Sequence, residues 1–200
     1  MWENSFYVGG RDDGVIGVGA NGDGIAVGAA VCWELMRSQT VHRLRGRIDL
    51  ALTGSGWWSL SENWTPGNLL QGREDANERL ALRAAETFAL YVGAPVAHAA
   101  HSGRLECAMP WFPLPYRGRF EGGTMLVEAD GRVVARRTRE EGEGLVVGEL
   151  TPGRREPLEQ PPGRFWLHRR GGLATLAWNY QRLHGRRWYR RHVSGANRSS

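Results

Sequence analysis

The residues able to do chemistry begin with one thiol. The run Gly28-Ala29-Ala30-Val31-Cys32-Trp33-Glu34 is small and apolar, and it delivers Cys32 to the start of a helix-like segment, Leu35 to Gly46. A thiol placed there lies near the positive end of a helix dipole, among backbone N–H groups without intrahelical partners. Both features favour a thiolate and can hold an oxyanion. Cys32 is therefore the candidate nucleophile, and the N–H of Trp33 the candidate oxyanion donor. A free cysteine taken alone is more often a small buried apolar side chain. The small-residue strand before it, the Trp-Glu after it and the helix start weigh toward the nucleophile. Glu34 is close in sequence, but near neighbours at a helix start do not face each other. It reads as an orienting or structural group, not a base.

The other candidates are weaker. His98 and His101 follow a strand rather than a helix face, and no carboxylate cluster beside them completes a metal site. A structural or pocket-lining role suits His98 better. Trp57 and Trp58 either line a pocket or fill the core beneath it, and the sequence leaves both open. Gly17-Val18-Gly19-Ala20-Asn21-Gly22 fits the dinucleotide pattern G-x-G-x-x-G. That pattern has meaning only between a strand and a helix N-terminus. Here Asn21-Gly22-Asp23-Gly24 reads as a hairpin turn into the next strand, so no nucleotide cofactor is expected, nor any other cofactor or metal.

The elements that must position these residues follow from periodicity. Ile25, Val27 and Val31 mark a buried strand ending at Cys32; Leu35, Met36, Val41 and Leu44 recur at helical spacing; Ile48, Leu50 and Leu52 mark a second strand ending at Thr53-Gly54-Ser55-Gly56. Residues 59–72 read as a loop. The clearest helix runs from Arg73 to about Tyr91, with Leu80, Ala84, Phe88 and Tyr91 on one stripe. Ala94 to Ala100 is a short strand, and residues 102–118 form an irregular proline-bearing loop. Thr124 to Arg137 is a hairpin turned at Asp130-Gly131, and Gly144 to Leu150 is a closing strand. This order predicts a layered α/β domain.

The chain has 200 residues, enough for one domain with a full core. Nine tryptophans and 41% hydrophobic residues exclude a disordered chain. No run is long enough to span a membrane. Cys32 and Cys107 form no CxxC, which argues against a disulfide framework or zinc site and makes a cytoplasmic, reducing location the default. The net charge of +5 hides an asymmetry. Residues 1–150 carry 15 Arg against 19 acidic residues, whereas residues 151–200 carry 11 Arg against two. The body is acidic and only the extension is basic, which argues against a chain whose main business is nucleic acid.

Several segments in order, taken together, resemble the nitrilase, or carbon–nitrogen hydrolase, superfamily. Val27 to Glu34 is similar to its nucleophile strand and elbow, with Cys32 at the nucleophile. Gly46-Arg47-Ile48-Asp49-Leu50 resembles the following segment, Gly54-Ser55-Gly56-Trp57-Trp58 its pocket loop, and Leu82-Arg83-Ala84-Ala85-Glu86 its Arg-Ala-x-Glu helix. His98 to Gly103 resembles the strand end near the pocket, and Gly123 to Gly144 the terminal hairpin with its Gly-Glu-Gly exit. The resemblance implies a partial nitrilase-type α-β-β-α sandwich over residues 1–150, with a basic, aromatic extension over 151–200. It implies a small-molecule nitrile or amide as substrate, a thioester intermediate and Trp57, Trp58 and His98 near the substrate. The family works with a Glu–Lys–Cys triad. Here the chain departs: it has no lysine at all, all 26 basic residues being arginine. Met1-Trp2-Glu3-Asn4 resembles the end of the segment that follows the family's lysine, which would make Glu3 an additional pocket glutamate. The expectation is a C-terminal half beginning just after the lysine, inactive alone.

The extension interleaves Phe165, Trp166, Trp178, Tyr180, Trp188 and Tyr189 with arginines. Such mixtures suit polyanions or protein interfaces, where Trp, Tyr and Arg are the enriched anchors. The acidic body and the family's habit of dimerising favour a homo-oligomer interface over nucleic acid. The alternative to a hydrolase piece is a non-catalytic relic serving as a binding or assembly subunit. DNA upstream of the Met1 codon separates the two: an in-frame extension encoding the lysine favours the hydrolase, and an in-frame stop the relic.

Overall fold

The computed structural model describes residues 12–19, 24–63, 71–108, 113–168 and 172–192. Glu3 and residues 20–23, which hold most of the turn expected from the sequence, lie outside them. Two compact units result: Gly14–Leu167, and a second made of Met1–Asp13 with His168–Ser200.

The first unit is a mixed six-stranded sheet with helices on one face. Its strands are β1 (Val15–Val18), β2 (Ile25–Val31), β3 (Leu50–Ser55), β4 (Val96–Ala100), β7 (Thr124–Val127) and β8 (Val133–Arg137), in the order β1-β2-β3-β4-β7-β8. The three central strands, β2, β3 and β4, are parallel, and the outer pairings are antiparallel. β1 and β2 pair antiparallel, and the described element that follows the G-x-G-x-x-G stretch is the strand β2. A two-stranded ribbon, β5 (Arg104–Cys107) with β6 (Tyr116–Arg119), lies where the sequence predicts only irregular loop. Its charged, exposed β5 residues give no apolar alternation to read.

The register decides which side chains meet the helices. Gly28, Ala51, Val96 and Val127 stand opposite one another across four strands, and Ala30, Thr53, His98 and Met125 form the next row. Against these rows pack α1 (Ser38–Leu44) and α2 (Gln71–Val92), which bury Val41, Leu44, Phe88, Ala89 and Val92 in one core. A Cβ on Gly28 would come within 2.8 Å of Ile48 Cγ2 and 3.2 Å of Leu44 Cδ2, so glycine lets the end of α1 and the segment after it pack close on β2. On the opposite face Val31 and Leu52 are exposed. α2 ends at Gly93, whose φ of +71° closes the helix and whose Cβ would run into the Arg155 carbonyl.

Two expectations are corrected. The predicted helix from Leu35 to Gly46 is a 3-10 turn (Cys32–Met36) followed by the separate α1. Arg37 between them is extended, because residues 165–167 dock there: Leu167 N–H donates to Met36 O at 2.9 Å and Ser38 N–H to Phe165 O at 3.0 Å. The predicted strand Gly144–Leu150 is not one. It has no strand partner among the described residues, and Leu145 and Val147 are 89% and 85% exposed. The compact unit that holds the sheet continues to Leu167.

One clip holds that continuation. The Asp49 carboxylate accepts from Arg154 Nε at 3.0 Å, Arg154 Nη2 at 3.1 Å and Ala26 N–H at 2.7 Å. The Arg154 hydrogen bonds and the Ala26 amide hold Asp49 down at about 2. A depressed carboxylate adds stability that is present above its unfolded value of 3.8 and lost as pH falls through about 2. The pair is partly exposed, so Asp49→Asn should cost only about 1 kcal/mol at pH 7. Urea titrations should show that difference shrinking as pH is lowered toward 2.

In the second unit the described part is chiefly α3 (Gly172–His192). Its sequence has five arginines and no acidic residue, and it exposes Leu176 and Leu183. Among the described residues no helix is long and apolar enough to cross a membrane.

Candidate functional site

The carboxyl ends of parallel strands are where open α/β sheets gather reactive groups. Here β2, β3 and β4 end side by side at Val31, Ser55 and Ala100, with Val31 opposite Gly54 and Ser55 opposite Ala100. The residues that follow are Cys32, Gly56-Trp57 and His101.

Cys32 is the one described non-glycine residue with positive φ, at +55°. An L residue there carries a penalty of roughly 1–2 kcal/mol, because Cβ crowds the next carbonyl. Such strain persists only where surrounding structure enforces it, and it concentrates at functional positions. A sharp turn from a strand into a helix lifts the side chain off the sheet edge, which is how hydrolase nucleophiles are presented. Cys32 is half-buried, and neither cysteine is in a disulfide. The five-residue 3-10 turn replaces the long helix expected from the sequence, so presentation rests on the strained turn more than on a dipole.

Glu34 is committed elsewhere. Its Oε2 accepts from Val31 N–H at 3.0 Å and its Oε1 lies 3.6 Å from Arg43 Nη2. It braces the strand end beneath Cys32.

Trp33 stacks on Trp57 with centroids 5.7 Å apart and meets Trp166 edge-on at 5.6 Å. Trp166 in turn contacts Phe165 at 4.7 Å. Trp57 is therefore a neighbour of the Cys32 turn. Trp58 points elsewhere, edge-on to Tyr116 at 5.7 Å. Trp166, read from the sequence as part of the basic extension, belongs to this cluster.

His98 does not join it. It is buried in the helix-facing row, with Nδ1 2.8 Å from Thr53 Oγ1 and Nε2 3.1 Å from Ser55 Oγ. Both ring nitrogens are thus occupied, and burial pushes its pKa down to about 4, so it is neutral near pH 7. His101 is at the strand end instead, its Nδ1 3.0 Å from Ser55 O and its ring 5.2 Å from Phe120. Gly56 fits between them: a Cβ there would meet His101 Nδ1 at 3.4 Å and Phe120 at 3.5 Å.

One feature the sequence reading missed lies beside Trp57. Glu121 is fully buried, and its N–H donates to Trp57 O at 2.8 Å. Arg139 Nη1 donates to Glu121 Oε2 at 2.6 Å and lies near Glu74 and Glu78 of α2. Burial and the Glu74 charge push Glu121 up to about 7, against the Asn77 hydrogen bond and the Arg139 charge. The available signal was Glu74, Asn77 and Glu78 at helical spacing on one face. Among the described residues no group of three metal-ligating side chains is assembled.

No family model matches the chain, and no curated protein matches it in sequence. Solved structures similar to it include a carbon–nitrogen hydrolase from Helicobacter pylori G27, at 17% identity and TM-score 0.49, covering 64% of this chain and 40% of that one. An amidase from Nesterenkonia sp. AN1 is 20% identical with TM-score 0.41, over 86% of this chain and 51% of its own. A CN-hydrolase superfamily protein from Xanthomonas campestris is 16% identical with TM-score 0.43, over 70% and 44%. The chain spans between two fifths and about half of the length of these structures.

Proposed function

We propose that Cys32 is the nucleophile of a hydrolase acting on non-peptide carbon–nitrogen bonds, nitrile or amide. The observation that carries this reading is the thiol held at φ +55° where a central parallel strand breaks into a 3-10 turn. The thiolate attacks the nitrile or amide carbon, and the main-chain N–H of Trp33 faces the developing negative charge. With an amide, collapse expels the nitrogen, which must be protonated to leave, and gives a thioester. With a nitrile, the adduct is a thioimidate that must take up one water before ammonia leaves and the same thioester forms. A further water hydrolyses the thioester. Trp33 and Trp57 form an apolar wall beside the reacting carbon, and Trp58 has a structural part. The proton carrier and the charged oxyanion partner of a Glu–Lys–Cys set are not both here, because the 200 residues contain no lysine. In this reading the chain supplies the nucleophile half of a site and is inactive alone.

An activated ester separates acylation from the missing steps. With p-nitrophenyl acetate the protein should release a burst of about one equivalent of p-nitrophenol and then stall. Cys32→Ala should abolish the burst and Cys107→Ala should keep it. A burst that survives Cys32→Ala would refute the assignment.

The extension is proposed to carry self-association. Leu176 and Leu183 are exposed on α3 among its arginines, and arginine is one of the residues enriched as interface anchors. Sedimentation velocity should show a species larger than a monomer that is lost when residues 168–200 are removed. A monomer in both cases would end the idea.

A further inference from the structure

We propose that Glu121 is a positioning residue, which through Asn77 fixes the Trp57 indole against Trp33 beside Cys32. The functional meaning rests on Cys32 being the nucleophile, but the chain of bonds stands by itself. Asn77 is fully committed: Nδ2 donates to Trp58 O at 2.9 Å and to Glu121 Oε1, while Oδ1 accepts from Trp57 Nε1 at 3.1 Å. Turning the amide over would set its NH2 group against the Trp57 indole N–H, donor against donor. Glu121 and the Trp58 carbonyl, both acceptors of Nδ2, therefore select the amide orientation, and the orientation selects the place of the indole. The second link is main-chain, from Glu121 N–H to Trp57 O at 2.8 Å. The outer oxygen of Glu121 is held by Arg139 at 2.6 Å.

A proton on Glu121 disturbs this arrangement whichever oxygen takes it. On Oε1 it faces the Asn77 donor, and on Oε2 it faces Arg139. The charged and titratable groups around Glu121 are Glu74 and Glu78 from α2, Arg139 from the chain after β8, and Tyr116 from β6. Of these groups only Glu121 is hydrogen-bonded to Asn77, so the indole should report its titration.

The test uses the full chain labelled with 15N in its tryptophan indoles, with the Trp57 resonance assigned by Trp57→Phe. Between pH 5 and 9 that resonance should shift sigmoidally with a midpoint near 7. In Glu121→Gln it should be flat. In Asn77→Ala it should be flat and displaced, which decides the matter even where Glu121→Gln does not fold. Burst acylation of Cys32 should slow by about tenfold in Asn77→Ala, since small misplacements beside a reacting centre are costly. An indole that does not titrate in the wild-type chain, or titrates alike in Glu121→Gln, would overturn the proposal, as would an unchanged burst rate. A wild-type chain without a burst counts against Cys32 as nucleophile, and the indole titration then decides the bond chain by itself.

Discussion

Given simple amides and nitriles, the 200-residue chain should release ammonia only at trace rates, several orders of magnitude below a complete Glu–Lys–Cys enzyme. Proton transfer by a positioned group is worth about 10²–10⁴-fold. Loss of one oxyanion donor costs about 10²–10³-fold. The two effects are not additive where residues act as one unit, so the expected loss is several orders rather than the full product. The structure adds a reason of its own. Among the described acids near the Cys32 turn, Glu34 is bonded to Val31 N–H and paired with Arg43. Glu121 is bonded to Asn77 and Arg139. Neither is poised as a base. Ammonia release is the measurement, with Cys32→Ala as the reference. Robust turnover that Cys32→Ala abolishes would show that the chain holds a base and a charged partner of its own.

Phe88→Ala should be the most damaging core substitution for stability. Phe88, on α2, is fully buried and heads the largest wholly enclosed side chains of the core. Truncating a buried phenylalanine costs about 3–5 kcal/mol, through lost transfer energy and the cavity left behind. For a unit of this size that lowers the melting temperature by roughly 6–20 °C. Leu145→Ala, at a side chain 89% exposed, should change it little. Circular dichroism melts of the two variants check both; equal melting temperatures would show that Phe88 is not where the core lies.

The central strands and the long helix were legible in the sequence because their apolar residues repeat cleanly. Ala84, Phe88 and Tyr91 fall on the buried side of α2, and a hairpin joins β7 to β8 around Asp130-Gly131, although Gly131 N–H closes the turn on Glu128 O and the loop is one residue longer than the two-residue turn expected. What stayed hidden was set by distant chain. The break at Arg37 exists because residues 165–167 hydrogen-bond there, and no local pattern near Arg37 announces that. The apolar run Leu145-Val146-Val147 suggested a strand over Gly144–Leu150, but such a run shows only that a strand could form, not that a partner lies beside it. The candidate site drew on the sequence in part. Cys32, Trp33 and Trp57 were named from local context one by one, but the stacking of the two indoles was not, and His98 was named beside them although its row faces the helices. Register, which period-2 patterning does not reveal for a strand of alanines, put it there.

If the strained turn makes Cys32 the reactive thiol of the folded protein, alkylation should show it. Cys107 is the internal control: it stands on an exposed stretch of β5, and burial around its sulfur pushes its thiol up. Limiting iodoacetamide applied to folded protein across pH 6 to 9, followed by peptide mass spectrometry, measures both sites in one sample. Cys32 should be carbamidomethylated first at every pH, and the preference should vanish in denaturant. Faster modification of Cys107 in the folded state, or Cys32 reacting only after unfolding, would mean that the turn does not present a reactive thiol.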